Sequence, residues 1–191
     1  MSLKKAVECI QKNKRFLITS HTNLEGDALG SELAFMFLLK SLGKEAQVVN
    51  DDVPFGYDFM PGVSSILHPG GGFKKLDFDC FAVLDCADLS RCGRLAQLNT
   101  SGKCLLNIDH HISNTNFGDI NFVEPFASSA AEVVFKLFKK MHVKFNRDTA
   151  TLLYVGMLTD TGSFHYANTS SFTHQAVSEL LKYGLDVQGI Y

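Results

Sequence analysis

Apolar residues in this chain alternate between two spacings. Arg15–Ser20, Phe81–Leu84 and Cys104–Ile108 are short, nearly continuous apolar runs, and the stretches around them carry helical periodicity. A short run of this kind reads as a strand buried on both faces of a parallel sheet. The expected strands are Arg15–Ser20, Glu45–Asn50, Asp79–Asp85 and Lys103–Ile108. Met1–Arg15 reads as an amphipathic helix, Asp27–Leu42 as a helix stopped by Gly43, and Leu89–Leu98 as a third. Ser129 followed by Glu132 has capping-box spacing and opens a helix to about Met141. Asn146 caps Arg147–Thr159, apolar on nearly every face and so expected at the centre of the fold. A last helix spans Ser171–Tyr183, with Gly184 as its stop.

Between the second and third strands, Asp51–Asp77 contains Pro54, Pro61, Pro69 and the run Gly70-Gly71-Gly72, which predicts loop around a helical turn near Ser64–Leu67. Alternation of strand and helix predicts an α/β fold: an open, mainly parallel sheet with crossover helices on both faces. It is expected to occupy residues 1–185, with 186–191 as the start of a linker.

The 191-residue length suits one such domain. Lys+Arg 18 against Asp+Glu 20 leaves a net charge of -2, so the chain lacks the global basic field of an electrostatic duplex-DNA binder. Cys9, Cys80, Cys86, Cys92 and Cys104 are odd in number and lack C-x-x-C spacing, which points to a reduced, cytoplasmic protein. Cys86 follows Asp85 and is read as a small buried hydrophobe beside the site. No segment approaches membrane-spanning length.

Candidate chemistry clusters where apolar runs stop. The first ends at His21, the second at Asp85, and the third at Asp109-His110-His111. In open α/β sheets the ligand crevice lies at the carboxyl ends of the strands, so these residues are expected to share one rim. Glu25 and Asp27 flank Gly26 at the start of a helix, where negative charge is favoured, although Asp27 or Asn23 could simply cap that helix. Gly26 and Gly30 resemble part of a phosphate loop, but neither G-K-[ST] nor a complete G-x-G-x-x-G is present. Asp85 or Asp88 could also be a plain cap. Asp160 closes the all-apolar helix at the end that repels an anion, and Thr161-Gly162-Ser163 could offset that by hydrogen bonding. Two histidines and four carboxylates without cysteine suit Mn²⁺ or Mg²⁺ better than structural zinc. Six donors suit two ions about 3.5–4 Å apart, bridged by a carboxylate.

The ordered motifs resemble the DHH phosphoesterase superfamily, which includes RecJ exonucleases and family II inorganic pyrophosphatases. The closest likeness is to its NrnA-type oligoribonuclease and pAp phosphatase group. Supporting stretches are Asp109–Gly118, Ser128-Ser129 with Glu132, and Asp160–Phe164 with Tyr166. The resemblance implies that His21, Glu25 and Asp85 hold one Mn²⁺, and that Asp27, Asp85, His110 and Asp160 hold a second, with Asp85 bridging and Mg²⁺ as the alternative ion. It implies catalytic roles for His111 and Asp109, with His111 facing the scissile phosphate, and weaker phosphate contacts from Arg91 and Asn114. The implied reaction is in-line attack on a phosphoester of a short oligoribonucleotide, pAp or a linear or cyclic dinucleotide. The implied partner is that nucleotide, not duplex DNA or a membrane, with a homodimer as one assembly.

Two departures from the family pattern carry consequences. Leu24 and Glu25 stand where H-x-N-P-D-G-D-A has proline and aspartate, which lengthens one oxygen donor. The substrate-gripping, glycine-rich loop of a DHH-associated C-terminal domain is not found. The competing expectations are therefore a family II-like pyrophosphatase and a metal- or nucleotide-binding module with weakened catalysis.

Overall fold

The computed structural model describes residues 2–52, 55–68, 76–99 and 102–190; Pro54, Pro69 and Gly70 to Gly72 lie outside them. Strands β1 (Arg15–Thr19), β2 (Glu45–Val48), β3 (Cys80–Leu84), β4 (Cys104–Asp109) and β5 (Ile120–Val123) form one sheet in the order β2-β1-β3-β4-β5. Every neighbouring pair is parallel. The chain moves outward from β1 to β2, then returns to the far side of β1 to lay down β3. The β1/β3 seam is thus the point where strand order reverses, the place such sheets form their crevice.

The helices are α1 (Ser2–Lys12), α2 (Gly26–Ser41), α3 (Ala130–Lys140), α4 (Arg147–Asp160), α5 (Ser171–Leu181) and the single turn α6 (Val187–Ile190). The two faces of the sheet are covered unequally. Phe16, Ile18, Ala82, Leu84, Leu106, Ile108 and Phe122 pack against the layer built from α1 to α5. Leu17, Phe81, Val83 and Leu105 face a smaller cluster completed by Cys92 and Leu95 of a 3₁₀ segment, Leu89–Leu98. Burial on both sides explains why β3 is apolar at every position.

Several expectations need correction. Leu89–Leu98 is not a regular α-helix: it is capped by Asp88, whose Oδ1 accepts from Ser90 N at 2.9 Å, but it is broken at Gly93 (φ 59, ψ -135). Strand β5 is missing from the expected set, being four residues long with polar Asn121 inside it. Ser129 does accept from Glu132 N at 3.0 Å, yet Glu132 does not return the bond. Its buried Oε2 instead accepts from Ser128 Oγ and Thr173 Oγ1, each at 2.8 Å, which ties α3 to α5. The true capping boxes are Asn146 with Thr149 and Ser170 with Thr173. Residues 187–190, in the stretch read as the start of a linker, form the α6 turn with Ile190 packed on the core, and Tyr191 lies outside the described residues.

Helices α2 and α4 cross closely because glycine occupies the contact. A Cβ at Gly30 would run into the Leu152 carbonyl oxygen, and one at Gly156 would lie 2.5 Å from Ala131 Cβ and 2.8 Å from Asp27 Oδ1. Gly30 therefore serves helix packing, which accounts for the incomplete phosphate-loop pattern. Gly30→Ala should destabilise the protein by about 1–3 kcal/mol, the usual cost of overpacking a filled contact. Equilibrium denaturant unfolding checks this, and an unchanged midpoint would mean that α2 and α4 can separate without loss.

Candidate metal centre

The carboxyl ends of β1, β3 and β4 and the ends of α2 and α4 meet at one rim. His21 follows β1 and is 6% exposed. Its Nδ1 lies 2.6 Å from the Thr22 carbonyl oxygen, which can only accept, so Nδ1 carries the hydrogen and Nε2 is left to face the site. That Nε2 lies 3.5 Å from Asp85 Oδ2 and 3.9 Å from Glu25 Oε1. On the other side, His110 Nε2 lies 3.5 Å from Asp85 Oδ1 and 3.8 Å from both Asp27 Oδ2 and Asp160 Oδ2. The two oxygens of one carboxylate thus face two different imidazoles.

Asp85 is buried and adopts φ 51, a left-handed conformation that aspartate tolerates better than most residues. Both its carboxylate oxygens, and His110 Nε2, are buried without a hydrogen-bond partner among the described residues. Buried charge in that condition is costly unless a cation or a proton meets it. Asp27 is positioned differently: its oxygens accept from Ala130 N at 2.6 Å and Ala131 N at 2.9 Å, so it seats on the amino end of α3. It caps α3, therefore, and not its own helix. Asp160 Oδ2 is reached by Asn168 Nδ2 at 3.3 Å, whereas Thr161 Oγ1 bonds the Met157 carbonyl, so the expected Thr161-Gly162-Ser163 support is replaced by Asn168.

The electrostatics show an unmet need for positive charge. Burial, then the neighbouring negative charge of Asp85, raises the Asp27 carboxyl well above the usual range, and the same two causes raise Asp160. Asp85 goes the other way: burial opposes its charge, but the attraction of His110 and His21 overrides it and holds the group low. Potential metal donors fall into overlapping sets: His21, Glu25 and Asp85; Asp27, His110 and Asp160; and Asp85 with Asp109, His110 and His111. Oxygen-rich sets with imidazole and unpartnered buried oxygens fit hard divalent ions. Glu25 is the outlying donor, with its side chain 57% exposed and no capping bond although it is the N-cap residue of α2.

His111 stands beside this group. Its Nδ1 meets Asp109 Oδ1 at 2.7 Å, and that bond, despite partial burial of the ring, raises its pKa. Asp109 Oδ2 is held by Asn114 Nδ2 at 2.5 Å, and the same nitrogen reaches Asn107 Oδ1 at 2.8 Å and the Cys86 carbonyl at 3.2 Å. The amide of Asn114, read as a weaker candidate for phosphate contact, is engaged by these acceptors and fixes Asp109. Arg91 is exposed at the rim, its carbonyl accepting from Thr22 N at 2.9 Å, and its charge reaches His21. Cys86 is buried and donates to the Asp88 carbonyl at 3.0 Å. The roles of Asn107 and Asn168 escaped sequence reasoning, because an isolated asparagine carries no periodic or motif signal.

Residues 15–157 match the profile of the DHH family, N-terminal domain. The chain therefore belongs to the DHH family. It is 35% identical over 168 residues to the bifunctional oligoribonuclease and PAP phosphatase NrnA of Thermus thermophilus, covering 88% of this chain and 50% of that protein. It spans about half the length of the curated relatives it matches. Among solved structures, an exopolyphosphatase-related protein from Bacteroides fragilis superposes with a TM-score of 0.91 at 28% identity, over 100% of this chain and 58% of that one. A candidate family II inorganic pyrophosphatase from Methanococcus jannaschii shares the fold, with a TM-score of 0.63 at 17% identity, over 92% of this chain and 58% of that one.

In the metal-free chain burial opposes charge on His21 and His110, yet Asp85 outweighs it and raises them to about 9 and about 10. Between the ordinary and the raised value each ring keeps a proton that an incoming ion must displace. Affinity for a divalent ion at these rings should consequently weaken as pH falls below about 10 for His110 and about 9 for His21, by up to about tenfold per pH unit for each proton released. Calorimetric titration in buffers of different ionisation enthalpy measures that release; binding with no proton exchange near neutrality would refute it.

Proposed function

We propose that this chain is the metal-dependent catalytic domain of a phosphoesterase acting on short oligoribonucleotides and on nucleotide phosphates such as pAp. The observation that carries the reading is the buried Asp85 carboxylate, whose two oxygens lack hydrogen-bond partners and face His21 and His110 separately. In this reading His21, Glu25 and Asp85 hold one Mn²⁺, and Asp27, Asp85, His110 and Asp160 hold the other. Bound there, the two ions would neutralise a phosphoryl group and make water more acidic.

The chain's own residues supply the rest. Asp109, clamped by Asn114, fixes the His111 ring through Nδ1 and favours its charged form, leaving Nε2 to face a phosphate oxygen or protonate a leaving group. The exposed Arg91 guanidinium offers a second positive contact at the rim. Leucine and glutamate at positions 24 and 25 leave this donor set chemically intact but put one oxygen on a longer, solvent-facing arm.

Asp85→Ala should lose both ions, measured as bound manganese after equilibrium dialysis. A variant still carrying two would rule out the bridge. His111→Ala should keep its metal while turnover of pAp and of a diribonucleotide falls by roughly 10²-fold or more. Glu25→Asp should lower the Mn²⁺ concentration needed for half-maximal rate, and no change would mean that Glu25 is not a donor. Pyrophosphate run beside these substrates separates the pyrophosphatase reading, and inactivity toward all three substrates would favour a binding module.

A further inference from the structure

A second cluster of metal-type donors lies at the opposite edge of the sheet. Cys80 and Cys104 are the first residues of β3 and β4 and are register partners, so their side chains leave neighbouring strands on the same face. Cys9 of α1 comes down between them, its Sγ 3.9 Å from Cys80 Sγ and 3.4 Å from Cys104 Sγ. All three sulfurs lie within 4.8 Å of one another. Asp85 ends the run that Cys80 begins, five residues on at about 3.3 Å each, so the two clusters are separate sites about 16 Å apart.

We propose that Cys9, Cys80 and Cys104 form a thiolate site for a soft divalent ion, with Zn²⁺ as its occupant. Sulfurs bound tetrahedrally at about 2.3 Å from zinc stand about 3.8 Å apart, so the two separations from Cys9 need shifts of only a few tenths of an ångström, and the third pair already lies within 4.8 Å. All-sulfur donors select zinc over the manganese that the oxygen-rich centre prefers. Asn13 Nδ2 lies 3.5 Å from Cys9 Sγ and supplies the hydrogen bond to sulfur that commonly orients a thiolate ligand. The fourth position opens onto a cavity of about 360 Å³ lined by Cys9, Cys104, Lys5, Lys12, Glu8 and Asp119, through which an ion and a water can enter. Binding exchanges up to three thiol protons, released to solvent, for one Zn²⁺; the resulting single negative charge lies beside Lys5 and Lys12. The ion would join α1 to two strands that lie 71 and 95 residues away in sequence.

The test uses the full chain, reduced with a phosphine and stripped of metal, then titrated with Co²⁺ and back-titrated with Zn²⁺. A thiolate-to-cobalt charge-transfer absorption is expected, erased by Zn²⁺. The imidazole and carboxylate centre has no sulfur donor and cannot produce this band. Cys104→Ser and Cys9→Ser should each lose at least about tenfold in Zn²⁺ affinity at this site and lose the band, while Cys92→Ser, in the separate Cys86–Cys92 pair, should keep both. Three results would overturn the proposal: no such band in the unaltered chain, its persistence in both variants, or its loss in Cys92→Ser. Formation of a Cys9–Cys104 disulfide on oxidation, with no Co²⁺ or Zn²⁺ bound by these thiols in the reduced chain, would overturn it as well. The measurement on the unaltered chain decides the matter even if a serine variant fails to fold.

Discussion

Burial of the Asp85 carboxylate is the constraint around which the rest of the rim is organised. A charge removed from water at the end of a fully buried strand must be met by other charge. The chain meets it from both sides, with an imidazole at 3.5 Å from each oxygen. Those imidazoles are in turn surrounded by Asp27, Asp160 and Glu25, and the result is a group of acids that repel one another unless positive charge sits among them. Because the sheet reverses its strand order between β1 and β3, His21 and Asp85 emerge side by side without any special loop.

Rigidity is distributed unevenly around this rim, and the distribution follows from backbone structure. Asp27 is locked by two amide donors of α3, and Asp109 is locked by Asn114, so both carboxylates have fixed orientations. Glu25 has no such support. Its side chain is 57% exposed and makes no capping bond, so its carboxylate is the least constrained of the acids at the rim. Across the sheet, two of the three thiols at the amino-terminal end, Cys80 and Cys104, are carried by β3 and β4, so one pair of strands serves two chemically distinct ends.

Much of this was legible in the sequence, and for a definite reason. Strands buried on both faces admit few polar residues, so β1, β3 and β4 stood out as nearly apolar runs, and the polar residues that ended them marked the rim. Periodicity misled where a backbone feature interrupted it: Leu89–Leu98 has helical spacing, but Gly93 breaks it into 3₁₀ turns. Strand β5 was too short, and too polar at Asn121, to register. At the site, residue identities were readable but partnerships were not. The link from Asp27 to α3 joins residues more than a hundred positions apart, and the engagement of Asn114 depends on acceptors from two segments, Cys86 after β3 and Asn107 and Asp109 of β4. Glu132 shows the same limit, since its spacing matches a capping box while its carboxylate bonds to α5.

The close crossing of α2 and α4 also bears on how this protein could be engineered. Replacing a helical glycine by alanine is a routine way to stiffen the unfolded chain's competitor states and raise the melting point. At Gly30 and Gly156 that route is closed, because the space a methyl would need is held by the Leu152 carbonyl, Ala131 and Asp27. At Gly156 the methyl would press on the very carboxylate that α3 holds in place, so a gain in backbone entropy would be exchanged for a displaced acid at the rim. Glycine replacement at this crossing is therefore closed as a route to thermostability, and the spacing of this helix pair also fixes where Asp27 stands at the rim.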